Sequence, residues 1–246
     1  MNTNVVRYDF SGVDVIVTGA TSGIGHATAI AFLRSGARVM ATGTRGSLAE
    51  YGEAARLPGA AYRRLQLGDD AQIAEFARSV ESVDILVNNA GDVMPEADFA
   101  DVVRVNLNAV YRLSTALHDR LRSSRMQGGA AVVNLASMMS FFGSPHLAGY
   151  GAAKAGIVQL TKSLAAGWAR DSIRVNALAC GSVRTAMTAA YADDARWSKV
   201  VSDKTPMGRW GSPDEMAAAI LFLASPAASF VTGHTLVADG GYSVID

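Results

Sequence analysis

Short apolar runs alternate along this chain with longer stretches in which apolar positions recur every three or four residues. The runs at 13–18, 38–42, 60–67, 84–88, 130–136, 172–178 and 234–238 are rich in Val, Ile, Leu and Ala. They are short and largely apolar, as expected of strands in a sheet covered on both faces. The stretches at 24–34, 47–56, 70–80, 99–125, 149–170 and 212–223 carry the helical period. Strands separated by helices predict a parallel sheet with right-handed crossovers. The fold class is therefore α/β: a doubly wound parallel sheet of Rossmann type, a single domain of about seven strands over 1–246. No Pro/Gly/Ser-rich linker or repeat interrupts it. The segment 185–211 is the least regular and carries Tyr191, Trp197 and Trp210. It reads either as a substrate-binding lid or as a surface excursion packed on its own aromatics.

Composition narrows the possible partners. Half of the 246 residues are hydrophobic, and 22 basic groups balance 22 acidic ones. A balanced charge gives no reason to expect nucleic acid or an anionic membrane. The one cysteine, Cys180, cannot form an internal disulfide. The N-terminal residues have no apolar signal core, and the apolar run at 217–224 is too short for a bilayer. A cytoplasmic protein is expected. No His, Cys and acid cluster has ligand spacing, so no metal is expected.

The first strand runs into Thr18-Gly19-Ala20-Thr21-Ser22-Gly23-Ile24-Gly25, just before a helix. Glycines there allow a tight turn and let backbone N–H groups approach a diphosphate, with the helix N-terminus behind them. This predicts a dinucleotide cofactor. NAD calls for a carboxylate at the end of the second strand, to bond the ribose 2′-OH. Here that strand ends Ala41-Thr42-Gly43-Thr44-Arg45, without an acid. Thr44 and Arg45 can hold a 2′-phosphate instead, which favours NADP, with NAD the alternative. Arg45 can also be a solvated surface charge.

Tyr150 and Lys154 stand one helical turn apart, so both side chains can act on one site. A free tyrosine titrates near about 10, and a nearby ammonium favours its phenolate. Tyr150 can then exchange a proton with a substrate oxygen, and Ser137, at the end of the fifth strand, can orient that oxygen. Each of these residues alone would be structural. Together they predict hydride transfer between a nicotinamide and an alcohol/ketone pair.

With these motifs in order, the chain resembles the short-chain dehydrogenase/reductase family from about residue 12 onward. The resemblance rests on Thr18-Gly19 to Gly25, Asn88-Asn89-Ala90-Gly91, Asn106, Ser137, Tyr150, Lys154, Arg174-Val175-Asn176-Ala177, and Val231-Thr232-Gly233 to Asp239-Gly240-Gly241. It implies a catalytic set of Asn106, Ser137, Tyr150 and Lys154. Asn106 would hold a water in a proton relay behind Lys154. It also implies cofactor contacts from Gly19, Ser22, Gly23, Ile24 and Gly25. Asn88, Ala90 and Gly91 would flank the adenosine side, and Val183 and Thr185 would meet the carboxamide. Lys154 would bond the nicotinamide ribose beside Tyr150. A homotetramer, or a dimer, is implied through the helices holding Asn106 and Tyr150.

The chain departs from the family in three places. Cys180-Gly181 replaces the usual Pro-Gly, Gln66 stands where an acid is common, and the 91–106 segment is short. Cys180 reads as a small buried hydrophobe in place of proline.

Substrate contacts are expected from Ser137, Met139, His146 and Tyr150, with His146 able to bond a hydroxyl or carboxylate or simply to lie on the surface. The runs 136–143 and 206–211 are similar to those of bacterial members acting on sugars, polyols and sugar acids. A 3-oxoacyl thioester reductase is the alternative substrate reading. A non-catalytic dinucleotide-sensing regulator is the alternative of another class. It would need the glycine turn but no proton donor.

Overall fold

A computed structural model describes residues 6–94 and 97–245. Its centre is one seven-stranded sheet of order β3-β2-β1-β4-β5-β6-β7, with every neighbouring pair parallel. The strands are β1 (Asp14–Val17), β2 (Arg38–Gly43), β3 (Ala61–Arg64), β4 (Ile85–Asn88), β5 (Ala130–Ser137), β6 (Ile173–Cys180) and β7 (Thr235–Ala238). The order reverses between β1 and β4, which opens a crevice beyond the carboxyl ends of the strands, where ligands bind in such sheets.

Helices cover both faces, as a parallel sheet requires. On one face lie α1 (Gly23–Arg34) and α9 (Pro213–Ala224), packed on each other. Val15, Val17, Ile85, Val87 and Val133 point into that layer, with Phe10 and Phe32 edge-to-face at 4.9 Å. On the other lie α2 (Asp70–Ser79), α3 (Phe99–Val103), α4 (Ala109–Ala116), α5 (His118–Arg122) and α6 (Ala148–Trp168). Ile16, Leu86 and Val132 point into this second layer, so successive residues of β1 and β4 serve opposite cores. α9 starts on a capping box, with the Ser212 hydroxyl accepting from Glu215 N and the Glu215 carboxylate accepting from Ser212 N.

Three segments differ from the sequence expectation. The stretch 47–56 is two 3₁₀ turns, Leu48–Tyr51 and Glu53–Ala55, separated by Gly52 at φ +82, a left-handed position that ends a helix. The 99–125 helix is not continuous. A π turn, Arg104–Asn108, joins α3 to α4, and Leu117 separates α4 from α5. At the π turn, Asn106 Nδ2 donates to the Val102 carbonyl at 3.0 Å, taking a place in the helix's own ladder. The 185–211 segment holds α7 (Ala189–Ala192) and α8 (Ala195–Lys204). Its two ends are tied together where Val183 pairs with Gly211, Arg184 N donating to Gly211 O at 3.0 Å and Gly211 N to Ser182 O at 2.9 Å. No residue of α8 is buried. Among the described residues, no helix is long and apolar enough to cross a membrane.

Candidate active site

The carboxyl ends of β1, β2, β4, β5 and β6 open into one cavity of about 600 Å³. At its floor, Gly19 and Gly23 sit at φ +63 and +54, which side chains disfavour. A Cβ on Gly19 would lie 2.9 Å from Ala90. Gly25 is pressed against its neighbours. A Cβ there would stand 2.3 Å from the Gly19 carbonyl and from Asn89 Nδ2, so this glycine lets α1 approach the turn. The N-cap residue of α1, Ser22, makes no side-chain cap, and the first turn has no acid. The free N–H groups and positive helix end thus face the cavity without an internal anion. A diphosphate fits this cradle.

The turn is held by the neighbouring strand. Thr18 Oγ1 donates to Val87 O and accepts from Asn89 N and Ala90 N, both at 3.0 Å. Asn89 Nδ2 donates to Thr18 O at 2.9 Å and to Gly19 O at 3.1 Å. Asn88 does not reach the cavity. It follows Leu86 toward the α4 face and donates to Ser114 Oγ at 2.9 Å and Asn134 Oδ1 at 2.8 Å. Asn134 in turn donates to Thr161 Oγ1 at 3.0 Å, so the buried amides are satisfied in a chain across the sheet.

At the far end, Thr44 and Tyr51 line the cavity, whereas Arg45 does not. Tyr51 Oη accepts from Arg45 N at 2.7 Å and lies 3.2 Å from Thr44 Oγ1. The Arg45 guanidinium stacks over the Tyr51 ring at 4.7 Å and donates to Glu50 O. Tyr62 donates to Arg45 O at 2.7 Å from beneath.

The catalytic-type residues meet at the other end. Ser137 closes β5, and Tyr150 and Lys154 rise from the first turns of α6. All three line the cavity. Lys154 is only 4% exposed. Its Nζ donates to Leu135 O at 2.6 Å and lies 5.5 Å from the Tyr150 ring centre. Burial pushes this ammonium down to about 8. The Tyr150 hydroxyl is enclosed, and burial pushes it up to about 12 against the opposing Ser137 hydroxyl. In this geometry, desolvation outweighs any lowering of Tyr150 by the lysine, the reverse of the expectation from spacing alone. Cys180 also lines the cavity, and burial raises its thiol to about 12, so it stands there protonated.

Asn106 lies behind this group, fully buried. Its Oδ1 accepts from Asp92 N at 3.1 Å, and its Nδ2 donates to Asp92 O at 2.8 Å. A Cβ on Gly91 would come within 2.6 Å of Asn106 Oδ1 and 3.5 Å of Lys154 Nζ, so only glycine lets the β4 end pass between them.

The cavity thus gathers Gly19, Ser22, Gly23, Ile24, Thr44, Ala90, Gly91, Ser137, Met139, Tyr150, Lys154, Val183 and Thr185. Gly25, Arg45, Asn88, Asn106 and His146 lie outside its lining. His146 is exposed, with its backbone N–H turned to Ser144 Oγ. Asn89, a motif residue given no role of its own by the sequence, lines the cavity, as do Tyr51 and Asp92. Asn89 was within the same four-residue motif. Nothing local marks Tyr51 or Asp92. Among the described residues, no cluster of His, Cys, Asp and Glu can hold a metal.

Comparison with known proteins agrees with this layout. A family model described as enoyl-(acyl carrier protein) reductase matches residues 19–243. The galactitol 2-dehydrogenase (L-tagatose-forming) of Cereibacter sphaeroides is 41% identical over 255 residues, covering 98% of each chain. The 3-oxoacyl-[acyl-carrier-protein] reductase of Thermotoga maritima is 36% identical over 244 residues, covering 92% of this chain and 96% of the other. Among solved structures, a gluconate 5-dehydrogenase of Burkholderia cenocepacia in complex with NADP and tartrate superposes with a TM-score of 0.85 at 32% identity, covering 98% of both chains. Sequence, fold and matched length together place this chain in the short-chain dehydrogenase/reductase family of oxidoreductases.

Proposed function

We propose that this enzyme moves a hydride between NAD(P) and a secondary alcohol/ketone pair on a sugar, polyol or sugar acid, with Tyr150 as proton donor and acceptor. The observation that carries this is the convergence of Ser137, Tyr150 and Lys154 on one wall of a cavity whose floor is an uncapped helix N-terminus. The nicotinamide, when bound, gives or takes the hydride. The residues do the rest. Gly19, Ser22, Gly23 and Ile24 receive the diphosphate, and Gly25 keeps α1 close behind them. Ala90, Gly91 and Asn89 shape the adenosine side. Val183 and Thr185 take the carboxamide, and Lys154 the ribose.

Ser137 holds the substrate oxygen. Tyr150, protonated at neutral pH because burial raises its hydroxyl, is poised to donate a proton to a ketone oxygen. In the alcohol-oxidising direction it must first lose that proton, and the Lys154 ammonium beside it favours the phenolate. Asn106 anchors the backbone at Asp92 and so positions the end of β4 beside Lys154.

NADP is the favoured cofactor. The gluconate 5-dehydrogenase holds NADP. Here Thr44 lines the far end with Arg45 beside it, Arg64 Nε donates to Thr44 O at 3.1 Å, and no carboxylate lines that end among the described residues. The 185–211 segment, pinned at both ends and carrying Met187 and Thr188 into the cavity wall, acts as a lid within a single domain. A homotetramer in the cytoplasm completes the reading. Edge strand β7 leaves Val237 exposed, and Phe230 and Val244 are exposed near it in sequence, apolar surface that self-association would cover.

A 3-oxoacyl thioester reductase is the second reading, supported by the relative from Thermotoga maritima and by the apolar Met138, Met139 and Leu147 in the wall. The deciding experiment is Tyr150→Phe on the purified enzyme with a carbonyl panel and both cofactors. Loss of turnover by a factor of about 10² to 10⁴ with cofactor binding intact is expected. Full turnover would refute the mechanism, and activity confined to acyl thioesters would favour the second reading.

A further inference from the structure

The cavity wall near Tyr150 carries one carboxylate among the described residues, Asp92. Its backbone is clamped on both sides of the residue by the buried Asn106 amide, at 3.1 Å through N–H and 2.8 Å through C=O. The side chain is exposed, and its hydrogen-bond partner among the described residues is Met94 N at 3.5 Å, longer than an ordinary bond. Its acceptor sites are therefore open to a ligand while its main chain cannot drift. The charge reaches the reaction centre, since it contributes to raising the Tyr150 hydroxyl.

Among the described residues the lining offers no cation to match it beyond Lys154, whose ammonium donates to Leu135 O at 2.6 Å and is assigned above to the cofactor ribose. The rest of this end is uncharged among the described residues, with apolar Val93, Met139, Leu147 and Met187 and the hydroxyls of Ser137, Tyr150, Ser182, Thr185 and Thr188. A sugar acid brought here would set its carboxylate against Asp92 with no free guanidinium or ammonium to receive it. A neutral polyol would give Asp92 hydroxyl donors, and hydrogen bonds to a charged acceptor are the stronger kind.

We propose that the substrate is an uncharged polyol or ketose, and that Asp92 sets this specificity by accepting its hydroxyl hydrogen bonds and repelling the carboxylate of the corresponding sugar acid. This rests on the function proposed above and narrows it.

Matched pairs test it: glucitol with gluconate and galactitol with galactonate, which differ only in a CH₂OH against a carboxylate. Initial rates are measured for the wild type and for Asp92→Asn, with cofactor affinity and melting temperature recorded for both. The wild type is expected to favour the polyols in kcat/KM by about tenfold or more, as a like-charge contact near a protein surface implies. Asp92→Asn should raise the aldonates by about tenfold and lower the polyols severalfold. Salt near about 1 M should shrink the wild-type preference and leave that of the variant unchanged. A wild type that prefers aldonates, or a variant whose ratio stays within about twofold of the wild type, overturns the inference and leaves the proposed function standing. Tight cofactor binding without turnover of either class overturns both.

Discussion

Replacing Lys154 with methionine separates catalysis from stability in a way the geometry makes quantitative. The ammonium is 4% exposed, and burial holds it near about 8, against 10.5 for an ordinary lysine. The unfolded chain keeps the ordinary value. Below about pH 8 both states bind the proton, and the folded state bears the full desolvation penalty, about 3 kcal/mol for that gap. Between about pH 8 and 10.5 the folded state binds fewer protons than the unfolded one, so this contribution to stability rises with pH. From about pH 7 to 9 the wild type should regain about 1 kcal/mol from this group.

Lys154→Met has nothing to titrate there and should lack that rise, while losing turnover because no ammonium stands beside Tyr150. Tyr150 and Cys180, both pushed up to about 12, keep their protons in the folded state while the unfolded chain loses them, so each lowers stability as pH rises through this window. Both groups are present in the two proteins, and the difference between wild type and variant isolates Lys154. Urea unfolding of the cofactor-free protein at several pH values is the assay, with the wild type and variant compared at each. Parallel stability curves for the two proteins would show that Lys154 is not a buried, destabilised ammonium, and the argument from burial would fail.

Other changes probe the rest of the frame. Gly25→Ala forces a Cβ to 2.3 Å from the Gly19 carbonyl, so cofactor affinity should drop by at least about tenfold, read by nicotinamide fluorescence, with the melting point also lowered. Tyr51→Leu removes both the platform under Arg45 and the hydroxyl at Thr44. It should weaken NADPH binding about tenfold while leaving NADH within about twofold, and an unchanged ratio would deny Tyr51 any part in selectivity. Arg174 donates to the carbonyls of Gly128, Leu223, Ala224, Ser225 and Ala228, capping the end of α9. Arg174→Met leaves these buried acceptors unmet, and calorimetry should show a loss of about 3 kcal/mol or more.

The Arg174 case shows how a motif can be legible while its work is not. The run 174–177 marked the family resemblance, yet its job lies in long-range contacts. Arg174 holds the α9 end, and Asn176 ties the segment before β7, donating to Val231 O at 2.8 Å and accepting from His234 N at 3.1 Å. Parity at a strand end behaves likewise. Asn88 and Asn89 are adjacent in one motif. Because successive strand residues face opposite ways, Asn88 is buried against Ser114 while Asn89 braces the glycine turn.

By itself the sequence determined the succession of strands and helices, the parallel doubly wound sheet, and the turn where a diphosphate fits. Each of these follows from local periodicity and from glycine's freedom at positive φ, which need only neighbouring residues to read. The tertiary structure alone decided that 47–56 breaks at Gly52, that the helix at Asn106 opens into a π turn, and that Arg45 leans away from the cavity onto Tyr51. It also decided that Asp92 faces the same cavity as Tyr150, and that burial moves Tyr150 and Lys154 toward their neutral forms. Those outcomes depend on residues far apart in the chain, brought together by the sheet order, and on solvent exclusion, which no local spacing encodes.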